Sequence, residues 1–234
     1  MIMDIRLDNL SIGYGHGAPL ASAINAVVHG GELTCVIGRN GTGKSTLLKT
    51  LTGFIPAMAG RVVVGGRCLS ALSQRERSRT VSVVLTATPD VENVTAGEMV
   101  AMGRMPWTGF WGRLSAADRI IVDRAMAMAG VETLADRTTR TLSDGERQKV
   151  MIARALAQQT PVMVLDEPTA FLDYTAKAET MSLLRQLAHD EKKAIIMSTH
   201  DLGLCVSHAD RFLLLDSGSL KEVTKEEVES IIKE

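Results

Sequence analysis

GRNGTGKST, residues 38–46, decides the fold of this chain. It follows the apolar run Leu33–Ile37 and precedes Leu47, Leu48 and Leu51. The first run reads as a short buried strand, and leucines at i, i+1 and i+4 fit one face of a helix. Between strand and helix the spacing is G-x-x-x-x-G-K-S, a phosphate-binding turn. Gly38, Gly41 and Gly43 permit backbone angles closed to other residues and let the chain approach a ligand closely. With Arg39, Asn40 and Thr42 between them and Thr46 behind, successive N–H groups form an anion nest, to which the following helix adds its positive end. Lys44 is placed to reach β- and γ-phosphates, and the Ser45 hydroxyl to ligate Mg²⁺. A glycine-rich turn that merely caps a helix would not require lysine and serine in this register. The turn implies a nucleoside triphosphate without saying which one.

The chain has 234 residues, enough for one large core or a core plus a subdomain. Its net charge of −1 leaves no global basic field for nucleic acid or acidic membranes. The start, MIMDIRLDNL, alternates apolar and charged residues like a strand and lacks the pattern of a signal peptide. No apolar run approaches the roughly 20 residues needed to span a bilayer, so a membrane link is expected to run through a partner. Three cysteines, Cys35, Cys68 and Cys205, lie far apart with no C-x-x-C pair, and Cys35 reads as a buried inert thiol of a reduced, cytoplasmic chain. The methionines, such as Met126 and Met128, read as core filling.

Residues 3–37 read as strands and turns, and 61–65 and 79–85 as further strands. From about 95 to 160 the pattern is helical, with capping boxes at TAGE (95–98) and SAAD (115–118). From 161 strand and helix alternate: PVMVLDE, a helix near 174–190, KAIIMSTH, a short helix and RFLLLDSG, then a surface helix in TKEEVESIIKE. Such alternation implies a mainly parallel sheet with helices on its faces. A nucleotide-binding core of 1–86 and 161–234, with a helical subdomain at 87–160, is therefore expected.

VMVLDEP, 162–168, delivers two carboxylates to the carboxyl edge of the sheet. Asp166 is expected to hold Mg²⁺, directly or through water, and Glu167 to polarise the attacking water; the bland reading is two acids ending a strand. In LSDGERQKV, 142–150, Ser143 and Glu146 form a capping box, which marks a helix start and equally a phosphate-binding device.

Phosphate loop, LSDGE, VMVLDEPTAFLD and a later His200, in that order, resemble the ATP-binding cassette of ABC proteins over nearly the whole chain. The resemblance implies an α/β P-loop NTPase core with N-terminal antiparallel strands and an inserted helical subdomain. It implies that Tyr14 stacks on adenine, a residue otherwise read as a strand or turn tyrosine. It implies that Ser143 and Gly145 contact the γ-phosphate of ATP held by a second copy, that Asp173 joins the two sites, and that His200 contacts the γ-phosphate. Lys44, Glu167 and His200 are the expected catalytic set, with ATP and Mg²⁺ as cofactors. Such cassettes work as head-to-tail homodimers closed by ATP and opened by hydrolysis.

Two motifs depart from the family pattern. The signature, commonly LSGGQ, is LSDGE here, adding Asp144 and Glu146 beside a polyanion. The usual glutamine before the helical subdomain is replaced by Thr86, which is expected to reach Mg²⁺ or the attacking water only through another water. The stretch from VSVVLT to AMAMAGV, with its GR-x-P segment, is similar to importer ATPases for iron-siderophore, haem and vitamin B12 complexes. That similarity implies two integral membrane permease subunits, an external binding protein, no nucleic acid, and a place on the cytoplasmic face of the membrane. Trp107, Phe110 and Trp111 read either as part of a docking surface or as a satellite core. A soluble cassette ATPase of iron-sulfur cluster assembly, or of another non-transport role, is the alternative.

Overall fold

In the computed structural model the described residues are 2–15, 17–86, 93–109 and 111–233. The chain opens with the antiparallel pair β1 (Ile5–Ile12) and β2 (Ala21–Val28). Next, β3 (Leu33–Ile37) feeds the phosphate loop and α1 (Lys44–Leu51), as the leucine spacing predicts. The chain returns through β4 (Ala59–Val64) and β5 (Arg67–Cys68), completing a four-stranded antiparallel sheet of order β2-β1-β4-β5. A short helix α2 (Gln74–Thr80) leads into β6 (Val81–Val84). Helices α3 (Ala96–Ala101), α4 (Ala116–Met128) and α5 (Asp144–Ala157) follow, with a 3-10 turn at Met102–Trp107. Then β7 (Val162–Asp166), α6 (Tyr174–Glu191), β8 (Ala194–Ser198), α7 (Leu202–His208), β9 (Arg211–Asp216), β10 (Ser219–Val223) and α8 (Lys225–Lys233) alternate to the end.

The second sheet has the order β10-β9-β3-β8-β7-β6 and is parallel throughout except for the hairpin of β9 and β10. Its central strands β3, β7 and β8 are buried at every position and mostly apolar, because both faces are covered. Successive side chains point to opposite faces. Leu33, Cys35 and Ile37, with Met163, Leu165, Ile195 and Met197, therefore enter one core, shared with α3–α7. Val36, Val162, Val164 and Ile196 enter the other, shared with α1 and the antiparallel sheet. Each buried Val, Leu or Ile contributes roughly 1.5–3 kcal/mol, so this double core fixes the strands' carboxyl ends firmly. Cys35 is fully buried beside Cys205, and that neighbour together with burial holds its thiol well above the ordinary range. This fits the inert thiol expected.

The capping boxes at Thr95–Glu98, Ser115–Asp118 and Ser143–Glu146 are all present. The expectation of a strand over 79–85 is corrected: Arg79 and Thr80 close α2, and the strand is Val81–Val84. Helix α2 buries no residue and so has no apolar stripe to read. It is held instead by arginines on main-chain oxygens. Arg75 donates to Pro106 O at 3.2 Å and Thr108 O at 2.9 Å, Arg77 to Gly53 O at 3.0 Å, and Arg79 to Pro106 O at 2.9 Å. The guanidiniums of Arg79 and Arg104 lie over the Trp107 ring, 4.7 and 5.5 Å from its centroid, and the indole donates to Gln158 O at 2.8 Å. Trp111, by contrast, is 82% exposed, and Phe110 lies outside the described residues, as does the expected boundary at 87.

Candidate nucleotide site

Four neighbouring strands deliver their carboxyl ends to one edge of the parallel sheet: Gly38 after β3, Glu167 after β7, His200 shortly after β8 and Thr86 after β6. Gly38 has φ 149°, and a Cβ there would stand 2.3 Å from Leu215 O, so only glycine fits. Gly43 caps α1 in the left-handed region at φ 104° with no side-chain cap bond. The first N–H groups of α1 are thus open to an anion. Lys44, 6% exposed, folds back to donate to Gly38 O at 2.7 Å and Arg39 O at 3.0 Å. Burial pushes its ammonium pKa down, against the pull of the Glu167 and Asp166 carboxylates.

The two acids are held differently. Asp166 Oδ1 accepts from Ser45 Oγ at 3.1 Å and Ser198 Oγ at 2.6 Å. Its main-chain oxygen accepts from Thr86 Oγ1 at 2.9 Å. Glu167 sits in the left-handed region at φ 51°, a conformation costing about 1–2 kcal/mol for a residue with a side chain. Its N–H donates to Ser198 Oγ at 3.0 Å, and its Oε1 stands 2.5 Å from His200 Nε2. Tyr14, 58% exposed, reaches the helix start, where Thr46 Oγ1 donates to its hydroxyl at 3.3 Å.

The donor set suits Mg²⁺. A serine hydroxyl and one carboxylate are hard oxygens within 3.1 Å of each other, and no group of three His, Cys, Asp or Glu among the described residues can hold a metal. Mg²⁺ bound to phosphates asks for no more than one or two protein oxygens.

A second cluster lies apart. Ser143 caps α5, accepting from Glu146 N at 3.2 Å, while Glu146 accepts from Ser143 N at 2.8 Å and pairs with Arg137 at 2.9 Å. The carboxylate of Glu146 is thereby tied back and held below its ordinary pKa, first by the Ser143 backbone. The Asp144 side chain stays 68% exposed. Gly145 packs so tightly that a Cβ would lie 3.1 Å from Phe171 O, beside Asp173, which caps α6 through Ala176 N at 2.8 Å. The cleft holding Ser143, Gly145 and Asp173 has no wall residue from 38–46.

The structure therefore gathers Tyr14, the phosphate loop, Thr86, Asp166, Glu167 and His200 in one place, and Ser143, Gly145 and Asp173 in another. Ser198 was missed from sequence. Its only signal is a hydroxyl closing an otherwise apolar strand, and its partners become visible through the pairing of β8 with β7.

Phosphate-binding backbone at the carboxyl edge of a parallel sheet, with an acid pair on a nearby strand, defines a P-loop nucleoside triphosphatase. Residues 21–170 match the ABC transporter family, and the chain belongs to that family, carrying its nucleotide-binding ATPase cassette. It is 35% identical to the iron(3+)-hydroxamate import ATP-binding protein of Bacillus subtilis, over 96% of this chain and 83% of that one. It is 39% identical to the cobalamin import ATP-binding protein of Halobacterium salinarum, over 88% of this chain but 51% of that one, so it spans about half of that relative. The dimeric structure of a bacterial ABC transporter cassette superposes with a TM-score of 0.85 at 25% identity, covering 94% of this chain and 98% of that one. That cassette is also known in a post-hydrolysis state with ADP and Pi bound. The fold expected from sequence is borne out.

Proposed function

We propose that this chain is the ATP-hydrolysing subunit of an importer for iron-siderophore, haem or corrinoid complexes. It works as a head-to-tail pair of copies on two membrane permease subunits, at the cytoplasmic face, with an external binding protein. The observation that carries this reading is the separation of Ser143, Gly145 and Asp173 from the phosphate loop. Each copy offers half of a site, and a second copy supplies the other half. The names of the hydroxamate and cobalamin relatives support the cargo class.

The loop N–H groups and Lys44 cradle the phosphates, with Lys44 exchanging two loop carbonyls for phosphate oxygens. Ser45 and Asp166 would hold Mg²⁺, with Thr86 within reach through water, and the ion would supply positive charge against the phosphates. Glu167 accepts the proton of the attacking water. His200, already paired with Glu167, donates to the γ-phosphate and keeps the base oriented. Tyr14 stacks on the adenine. Ser143 and Gly145 of a second copy complete the γ-phosphate shell, so ATP joins the copies and hydrolysis releases them. A groove lined by Phe54, Arg77, Met102, Met105, Arg154 and Gln158 lies between the core and the helical segment. Phe54 and Met105 are 60% and 64% exposed there, which fits docking of a cytoplasmic helix of the permease.

Glu167→Gln tests the core of this reading. Turnover, read as phosphate release, is expected to fall by roughly 10²–10⁴-fold, while ATP with Mg²⁺ converts the variant to a dimer on size exclusion. Unchanged turnover removes Glu167 from the base role. Affinity capture from gently solubilised native membranes is expected to bring a polytopic membrane protein in about equal amount; soluble partners alone would overturn the importer reading.

A further inference from the structure

We infer that Ser198 is a positioning residue that sets both carboxylates of the site at once. The inference rests on the roles proposed above for Asp166 and Glu167. Ser198 closes β8, a central strand, where its Cα is registered opposite Asp166 of β7. It is fully buried, at the end of the apolar run Ala194–Met197. Its hydroxyl has one proton and acceptor lone pairs, and the acid turn uses both capacities. The proton goes to Asp166 Oδ1 at 2.6 Å, and a lone pair takes the Glu167 N–H at 3.0 Å.

The two bonds do different things. The first is charge-assisted and buried, so it fixes the rotation of the Asp166 carboxylate that faces Ser45. The second holds the peptide N–H of a residue with φ 51°, a conformation a side-chain-bearing residue keeps only when its surroundings over-determine it. That backbone orientation aims Glu167 at His200, 2.5 Å away. An apolar residue at 198 would suit the surrounding core but leave the Glu167 N–H without its acceptor and Asp166 without its shortest bond. Thr86 grips the same turn from the far side through Asp166 O, and it does not touch either carboxylate in this way. The strand that carries His200 to the site is thus the strand that orients the acids, through one oxygen atom.

The test compares Ser198→Ala, Ser198→Thr and Ser198→Val. Threonine and valine have nearly the same volume and differ in the hydroxyl. In the Ala and Val variants kcat is expected to fall roughly 10–100-fold, the usual effect of removing such a supporting partner. The KM for ATP is expected to stay within about threefold, because the phosphate cradle is intact. The Thr variant is expected to hold kcat within about fivefold of the parent. A second readout needs no nucleotide: amide hydrogen exchange of a peptide containing Glu167 should speed up about tenfold in the Ala and Val variants and not in the Thr variant. Parental turnover by Ser198→Ala, or equal loss by Thr and Val, overturns the inference. If the larger side chains prevent folding, the Ala variant decides alone. Glu167→Gln is run beside them: if it too hydrolyses at the parental rate, the base assignment fails; if it is inactive while Ser198→Ala is not, only the role of Ser198 falls.

Discussion

Arg104, the arginine of the GR-x-P segment, is 5% exposed and sits where the helical segment meets the core. Its Nε donates to Asp118 at 2.9 Å, and its Nη1 donates to Ala157 O at 2.8 Å and Gln159 Oε1 at 3.2 Å. Arg104→Met keeps most of the apolar stem and removes the guanidinium. Breaking one side of a buried pair costs about 3–5 kcal/mol. Asp118 keeps its bonds from Ser115, to Oδ2 at 2.6 Å from the hydroxyl and 3.0 Å from the amide, which places the expected loss at the lower end. Ala157 O loses a donor, adding about 1 kcal/mol, so the sum is roughly 3–4 kcal/mol. For a chain of this size that lowers the melting temperature by roughly 6–16 °C. Thermal unfolding followed by circular dichroism reads it directly. Asp118→Asn made in the Arg104→Met background should cost less than in the parent by at least about 1 kcal/mol. A loss below about 1 kcal/mol, with the two substitutions additive, would refute the buried bridge.

Gly38→Ala is expected to abolish nucleotide binding while the chain still folds, because the added Cβ would stand 2.3 Å from Leu215 O and displace the loop; equilibrium binding of a fluorescent ATP analogue checks this, and retained affinity would refute it. Ser115→Ala is expected to cost about 1 kcal/mol of stability near neutral pH. Ser115, then Arg104, hold Asp118 down at about 2 from an ordinary 3.8. A depressed carboxylate stabilises the fold above its unfolded value and loses that contribution as pH falls through its folded one. The gap between parent and variant in urea unfolding should therefore narrow between about pH 4 and 2; a gap constant over that window would refute the assignment.

Much of the site was legible because its chemistry is local. The phosphate loop declares itself through spacing between a strand and a helix, and Asp166 and Glu167 through their place at a strand end. What stayed hidden depends on partners far apart in sequence. Ser198 lies 32 residues from Asp166 and looks like one more strand residue until β7 and β8 are paired. Thr86 reads from sequence as reaching the metal or the attacking water through another water; what the sequence hides is that its hydroxyl proton goes to Asp166 O, 80 residues away. The left-handed backbone at Glu167 leaves no trace in residue type. Helix α2 escaped because cations on carbonyls, not an apolar stripe, hold it, although Ser73 and Glu76 announce its start. Trp107 read either as part of a docking surface or as a satellite core, and the two guanidiniums over its ring belong to neither reading.

The arginines of α2 grip the 3-10 turn by its main chain: Pro106 O takes Arg75 and Arg79, and Thr108 O takes Arg75 again. Carbonyl oxygens are the same in every residue. Substitutions at the neighbouring side chains, such as Met105, leave these anchor points intact. The segment can thus be recoloured by mutation for a different neighbour while hanging from the core at the same angle, as a key blank keeps its bow while its teeth are recut.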